Sequence, residues 1–287
     1  MSDNRSSLSL KRRAAQRLLG KDRYLALREA AYRYRNVRTT LDLHDGHESR
    51  AIRDDRLVNS RHRLARLRDS HRGQRCFIVG NGPSLNKMDL SRLRNEAWFG
   101  ANRIYLMEST LGFAPTYYVC VNELVLRQCA EEISTLTMPK FLSVNASADV
   151  DLPQDSIFMN SVWGKARFGY EPTQVLWESG TVTYVSMQLA FFMGFEEVVL
   201  IGVDHSFSTS GPPNTEVVSD GDDPNHFSPD YFGKGFKWHL PDLESSEKGY
   251  RLARAAFEAD GRRIVDATVG GALTIFPKVD YESLFAD

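Results

Sequence analysis

Polar residues able to do chemistry recur just past short apolar runs. CFIVG (76–80) gives way to Gly80-Asn81-Gly82-Pro83-Ser84, AWFGAN (97–102) ends in Asn102, and TYYVCVN (116–122) ends in Asn122. The first is a tight turn into a helix: Gly80 and Gly82 would let backbone approach a ligand closely, and Pro83 suits the first helical position. Exposed backbone N–H groups over Gly80 to Ser84 favour a phosphate. Asparagine donates and accepts at once, which suits ribose hydroxyls, a base edge or a sugar carboxylate without adding charge. Singly, each of Asn81, Asn102 and Asn122 could be a turn former; together they read as one site.

Three further constellations follow. Glu178-Ser179-Gly180-Thr181 precedes an apolar helix, which Ser179 or Thr181 can cap and whose N–H groups could also hold a ligand phosphate or carboxylate. EEVVLIGVD (196–204) leads into Gly202-Val203-Asp204-His205-Ser206, so Asp204 and His205 belong to the same edge as the asparagines. A polar loop carries Asp220, Asp222, Asp223 and His226, then Tyr231, and a loop of this length is often a lid. His226 is a general-base candidate because an ordinary imidazole titrates close to working pH, although a lone histidine is more often structural. Asp220 and Asp222 form an Asp-x-Asp pair that could hold a divalent ion on a diphosphate, with Asp223 beside them, or be an oxygen-rich surface turn.

Commoner nucleotide-binding motifs are excluded. The first turn has no Gly-Lys-Ser/Thr and is not a Walker A loop. It lacks the third glycine of a dinucleotide fingerprint, and the second strand ends in Asn102 rather than the acidic residue that would hold an NAD ribose. A dehydrogenase is therefore a distant reading.

The elements that must position these residues are legible from residue 73 onward. Short, evenly apolar runs over 76–80, 97–102, 116–122, 140–145, 156–160, 196–204 and 262–268 alternate with helices, expected at Val125–Ile133, Val182–Met193 and Tyr250–Ala259. That alternation predicts a single Rossmann-like α/β/α domain over 73–287 with a mostly parallel sheet, whose ligands bind at the carboxyl ends of the strands.

Residues 1–72 differ, with nineteen Lys/Arg against nine Asp/Glu in a chain whose net charge is only −1. Helices are expected over Leu10–Thr39 and Ala51–Asp69, joined by a turn at Leu41–Ser49. This basic segment could pack on the main domain, form a homo-oligomer or rest on an anionic membrane surface. No nucleic-acid motif is recognised in it, and nucleic acid is not an expected partner. No apolar run approaches the roughly 18–20 residues of a membrane span, and the first ten residues lack the apolar core of a secretory signal. Cys76, Cys120 and Cys129 form neither a disulfide framework nor a zinc spacing. A cytoplasmic protein, with peripheral contact at the inner face of the membrane, is the expectation.

FIVGNGPSL, GANRIYL, YYVCVN, the continuous block ESGTVTYVSMQLAFFMGFEEVVLIGVDHSF and the later NHF resemble the sialyltransferases of glycosyltransferase family 42 and the related bacterial proteins once labelled domain of unknown function 115. The resemblance covers most of the chain from Arg75. It implies a Rossmann-like domain, a CMP-activated acidic sugar of the sialic acid or Kdo type as donor, a glycan or glycolipid acceptor in surface-glycan, lipopolysaccharide or capsule biosynthesis, and no required metal. It also implies that Asn81, Asn102 and Asn122 contact the nucleotide or donor sugar. Ser179 and Gly180 would meet its carboxylate or phosphate, and His226 would deprotonate the acceptor, giving inversion. One departure stands out: the family's two phosphate-binding tyrosines after the Gly-x-Asp strand are replaced near His205-Ser206-Phe207, where His205, Ser206 or Tyr231 could substitute.

The archaeal 6-hydroxymethylpterin pyrophosphokinases also resemble these proteins and transfer diphosphate from ATP. That chemistry would need Mg²⁺ or Mn²⁺, for which Asp204, Asp222 and Asp223 could supply oxygens. A non-catalytic scaffold of a polysaccharide-assembly complex is the remaining reading.

Overall fold

The computed structural model describes residues 47–286, part of a compact unit that runs from His47. The helix expected over Leu10–Thr39 lies outside the described residues. Eleven strands and six α-helices follow one another among them. Strands β1 (Arg75–Val79), β2 (Trp98–Ala101), β3 (Tyr117–Cys120), β4 (Lys140–Ser143) and β5 (Ile157–Met159) come first. Next come β6 (Ser161–Val162), β7 (Leu176–Trp177), β8 (Glu197–Ile201), β9 (Glu216–Val218), β10 (Lys237–His239) and β11 (Arg263–Asp266). The helices are α1 (His47–Ala65), α2 (Glu108–Leu111), α3 (Glu123–Gln128), α4 (Ala130–Thr135), α5 (Val182–Met193) and α6 (Leu243–Ala259).

Seven strands form one sheet in the order β11-β8-β1-β2-β3-β4-β5, every neighbouring pair parallel. The expected α/β fold with a mostly parallel sheet is what the chain adopts. The chain winds outward from β1 to β5, then returns to the other side of β1 as β8. Strand order reverses there, the place where open α/β sheets leave a crevice at their carboxyl ends.

Both faces of the sheet are covered, so the strands are apolar on both sides. Along β1, Cys76 and Ile78 enter one core with α5 and α6, while Phe77 and Val79 enter the other with Leu85, Val125 and Ile133. Helix α5 is buried almost all round, which its sequence VTYVSMQLAFFM dictates. Its limits match expectation because both stops are local: Thr181 Oγ1 accepts from Thr183 N, and Gly194 closes the helix at φ 89°.

Several elements differ from expectation: α6 begins at Leu243 rather than Tyr250, and β6, β7, β9 and β10 are additional to the expected strands. The helix expected after β1 is only a five-residue 3₁₀ turn, Pro83–Lys87. The helix expected over Val125–Ile133 is two short ones, α3 and α4, broken at Cys129 (φ −121°, ψ 23°). The second basic helix begins at His47, inside the turn expected over Leu41–Ser49, and packs against β5.

The arginines of that helix work locally. Arg56 donates to Ser147 O (2.5 Å) and Val150 O (2.9 Å), and Arg63 to the carbonyls of Gln154, Asp155 and Ser156. Ser60 Oγ accepts from the outward amide of Phe158 on edge strand β5 at 2.7 Å. No helix among the described residues is long and apolar enough to cross a membrane.

Candidate functional site

A cavity of about 250 Å³ opens beyond the carboxyl ends of β1, β2, β3 and β8. The ends of β1, β2 and β3 bring Gly80, Asn81, Gly82, Asn102 and Asn122 to it. The turn before α5 brings Gly180 and Thr181, and the end of β8 brings Asp204, His205 and Ser206. His226 and Tyr231 line it from the loop between β9 and β10. Residues scattered over 150 positions of sequence thus share one wall.

The first turn does a different job from the one its glycines suggest. A Cβ on Gly80 would lie 2.2 Å from Gly202 O, and one on Gly82 would lie 1.8 Å from Asp204 Oδ2. The glycines admit the neighbouring strand end rather than a ligand. Three of its N–H groups are engaged within the protein: Gly80 N donates to Ile201 O, Gly82 N to Gly202 O and Ser84 N to Asp204 Oδ1. Ser84 Oγ donates to Asp204 Oδ2 at 2.6 Å. Ser84 is buried and does not line the cavity, so its part in this turn is to clasp β1 to β8, which leaves Gly80, Asn81 and Gly82 on the cavity wall.

Two of the three asparagines have structural tasks as well. Asn122 caps α3 with Oδ1 accepting from Leu124 N and Val125 N. Asn81 Nδ2 donates to Ala101 O at 3.3 Å, while its Oδ1 is buried without a protein partner. Asn102 adopts φ 51°, and its Oδ1 accepts a weak contact from Cys120 Sγ. His205 (φ 56°) and Ser179 (φ 44°) share this left-handed backbone. Non-glycine residues are strained there, and such residues cluster at functional sites.

Ser179 turns its hydroxyl away from the cavity. It donates to Ser245 O at 2.7 Å and anchors the first turn of α6, where Gly249 leaves the room that the Ser179 side chain fills. His205 Nε2 sits 3.3 Å from Glu247 Oε1 on α6. Tyr231 is buried, its phenol oxygen accepts from Arg103 N, and burial holds its pKa well above the usual value.

His226 is held on three sides. Its Nδ1 lies 2.7 Å from Asp223 Oδ2, its ring stacks on Tyr231 at 4.0 Å and 10°, and Phe232 meets it edge-on. Asp223 also accepts from Asn225 N and Phe232 N. Burial alone would raise the Asp223 carboxyl, but the hydrogen bond and charge of His226 and these two amides outweigh it and hold the group below the usual carboxylate range. With Nδ1 bound to the carboxylate, Nε2 is the nitrogen left to take a proton.

The loop carrying this pair is fastened down. Phe227 N donates to Asn81 O (2.9 Å), Asn86 Nδ2 donates to Phe227 O (2.9 Å), and Arg103 donates to the carbonyls of Asp230 and Tyr231. Gln128 exchanges two hydrogen bonds with the backbone of Lys237 on β10. Asp220 and Asp222 are exposed and do not line the cavity, while Asp223 is taken up by His226, so the three carboxylates do not converge. No group of three metal-ligating side chains gathers among the described residues.

Several lining residues have no role assignable from the sequence alone. Glu178 is foremost: Ser161 Oγ donates to its Oε1 at 2.7 Å, and burial, only partly offset by that bond, pushes its carboxyl up to about 7. Trp163, Phe207, Trp238 and His239 form an aromatic rim, with Trp163 55% exposed. No Lys or Arg lines the cavity among the described residues.

Nothing among the curated proteins matches the chain. A family model described as 6-hydroxymethylpterin diphosphokinase MptE-like matches residues 55–210, more than half of the chain, a span that holds the whole sheet except β11. The chain belongs to the 6-hydroxymethylpterin diphosphokinase MptE-like family.

Proposed function

We propose that this cavity is the active site of a transferase that uses a nucleotide-activated donor, and that the group it moves is a sugar. Family membership supports the transferase class. The observation that carries glycosyl transfer is the Asp223–His226 pair beside a cavity lined by neutral strand-end donors with no Lys or Arg. A donor with a single phosphate, such as a CMP-activated acidic sugar, suits such a lining better than a triphosphate.

In this reading the acceptor hydroxyl lies against His226 Nε2. As its oxygen attacks the anomeric carbon, the proton passes to His226, and the bond from that carbon to the phosphate oxygen breaks with its electron pair leaving on the nucleotide. Attack from the face opposite the leaving group inverts the centre. Asp223 stabilises the imidazolium that forms, and the strand-end asparagines and the N-terminus of α5 hold the donor. The acceptor is a glycan or glycolipid.

Diphosphate transfer from Mg-ATP is the second reading, favoured by the activity for which the matching family is named. That match stops at residue 210, before the loop with His226. A thermal-shift panel of CMP, CMP-sugars, UDP-sugars, dTDP-sugars and ATP, with and without Mg²⁺, separates the two. Stabilisation by CMP in chelator is the expected result; stabilisation by Mg-ATP alone would replace sugar transfer with diphosphate transfer.

A further inference from the structure

Two carboxyl groups line the cavity among the described residues, and they are held differently. Asp204 takes the hydroxyl and amide hydrogens of Ser84 and thereby joins two strand ends. Glu178 instead follows the short strand β7, with its amide bound to Val162 O and Ser161 Oγ donating to its carboxyl. Its backbone is fixed from both sides: Gln188 of buried α5 bonds both the N–H and the C=O of Trp177, and Ser179 is locked in left-handed backbone beneath α6. The carboxyl is therefore built into the wall, not swung in from solvent.

The ionisable company of Glu178 offers it no fixed cation. On the cavity wall stand His205 with its partner Glu247, His226 with its partner Asp223, His239, Asp204, Tyr231 and Tyr250. From β3, the buried Cys120 thiol is pushed up to about 12 by burial, with repulsion from Glu178 adding to it. A phosphate entering this space adds negative charge to a compartment without Lys or Arg. An ionised carboxylate on the same wall would repel it, whereas a carboxylic acid would offer it, or the sugar and base beside it, a hydrogen-bond donor.

We infer that Glu178 is a ligand-contact residue that enters the nucleotide complex as its carboxylic acid, so that binding of a phosphate-bearing ligand takes up a proton from solvent. This rests on the nucleotide site proposed above. Glu178 then discriminates by charge: it accepts anionic ligands only in its neutral form and weakens them as it ionises.

The test is calorimetry of CMP binding in buffers of low and high ionisation enthalpy at pH 7.5, on the wild type, Glu178→Gln and Ser161→Ala, each checked for an intact melt. From a free carboxyl near 7, the wild type should take up roughly three-quarters of a proton per CMP, and its Kd should weaken toward tenfold per pH unit between 7.5 and 8.5. Glu178→Gln, isosteric with the acid, should bind CMP with that uptake removed and with a Kd flat over the same range; histidine contributions survive in this variant and cancel in the comparison. Ser161→Ala removes the bond that favours ionisation and should take up less than the wild type. Equal uptake in wild type and Glu178→Gln, or a folded Glu178→Gln that no longer binds CMP, would sink the inference alone. If neither CMP nor any other nucleotide of the panel binds the wild type, the nucleotide site itself fails and the inference with it.

Discussion

The amide of Phe227 donates to the carbonyl of Asn81 at 2.9 Å, and this bond fixes the histidine loop to the first strand turn. His226, the residue before Phe227, is thereby tethered at the cavity wall. Its second support is Asp223, three residues back.

From that arrangement, His226→Asn should lower kcat by about 10²–10⁴-fold while donor affinity is retained, as expected for loss of a general base. Asp223→Asn should lower kcat as well, because an amide in place of the carboxylate can no longer hold Nδ1–H and stabilise an imidazolium. Initial rates with the donor found in the ligand panel, and calorimetric donor binding, are the two measurements. A kcat unchanged by His226→Asn would remove His226 from the chemistry.

Gly82→Ala should destabilise the domain by about 1–3 kcal/mol, the usual cost of forcing atoms into filled space. The new methyl would meet Asp204 Oδ2, which Ser84 holds in place. Urea denaturation of Gly82→Ala, Asp204→Ala and the double variant forms a cycle, and the two losses should be strongly less than additive. Simple additivity would mean that the two residues do not meet.

Ser60→Ala should cost about 1–3 kcal/mol, because it strands the buried amide of Phe158 on the sheet edge. Thermal melts, with hydrogen exchange at Phe158, would report it. An unchanged melt and an unchanged exchange rate would show that water replaces the hydroxyl at no cost.

Without any ligand, Glu178 should tilt stability against pH. Its folded pKa lies above the unfolded glutamate value of about 4.3, so the folded state binds the extra proton. The contribution is full below about pH 4.3, declines as pH rises through about 7, and is flat above; the total is on the order of 3 kcal/mol. Asp223 acts in the opposite sense: its depressed value adds stability that is present above the unfolded pKa and lost as pH falls through the folded one. Chemical denaturation from pH 5 to 8 should show the Glu178 slope in the wild type and not in Glu178→Gln.

How far the sequence foretold all this depends on whether the deciding contact is local. Helix α5 could be bounded to the residue because Thr181 and Gly194 act on their own turns. The three strand-end asparagines could be grouped because parallel strands all end at one edge. The meaning of Gly80 and Gly82 could not be read, since what fills the space beside them, Gly202 and Asp204, comes from about 120 residues further on. Ser179 misled for the same reason: its hydroxyl partner, Ser245 O, lies 66 residues away on α6. Glu178 carried no signal because its environment is made by Ser161 and by burial, neither visible from a lone glutamate before a helix.

The covered edges of the sheet bear on how this chain can meet others. At β5, Ser60 occupies the outward amide of Phe158 and Arg63 the carbonyl of Ser156. At β11, residues 277–279 lie alongside, with Asp266 N donating to Pro277 O and Val279 N to Asp266 O. Neither flank presents the unpaired ladder that recruits a foreign strand. Among the described residues, the seven-stranded sheet is thus guarded against growth at both ends, and copies that meet there would have to do so through the helix and loop that guard it.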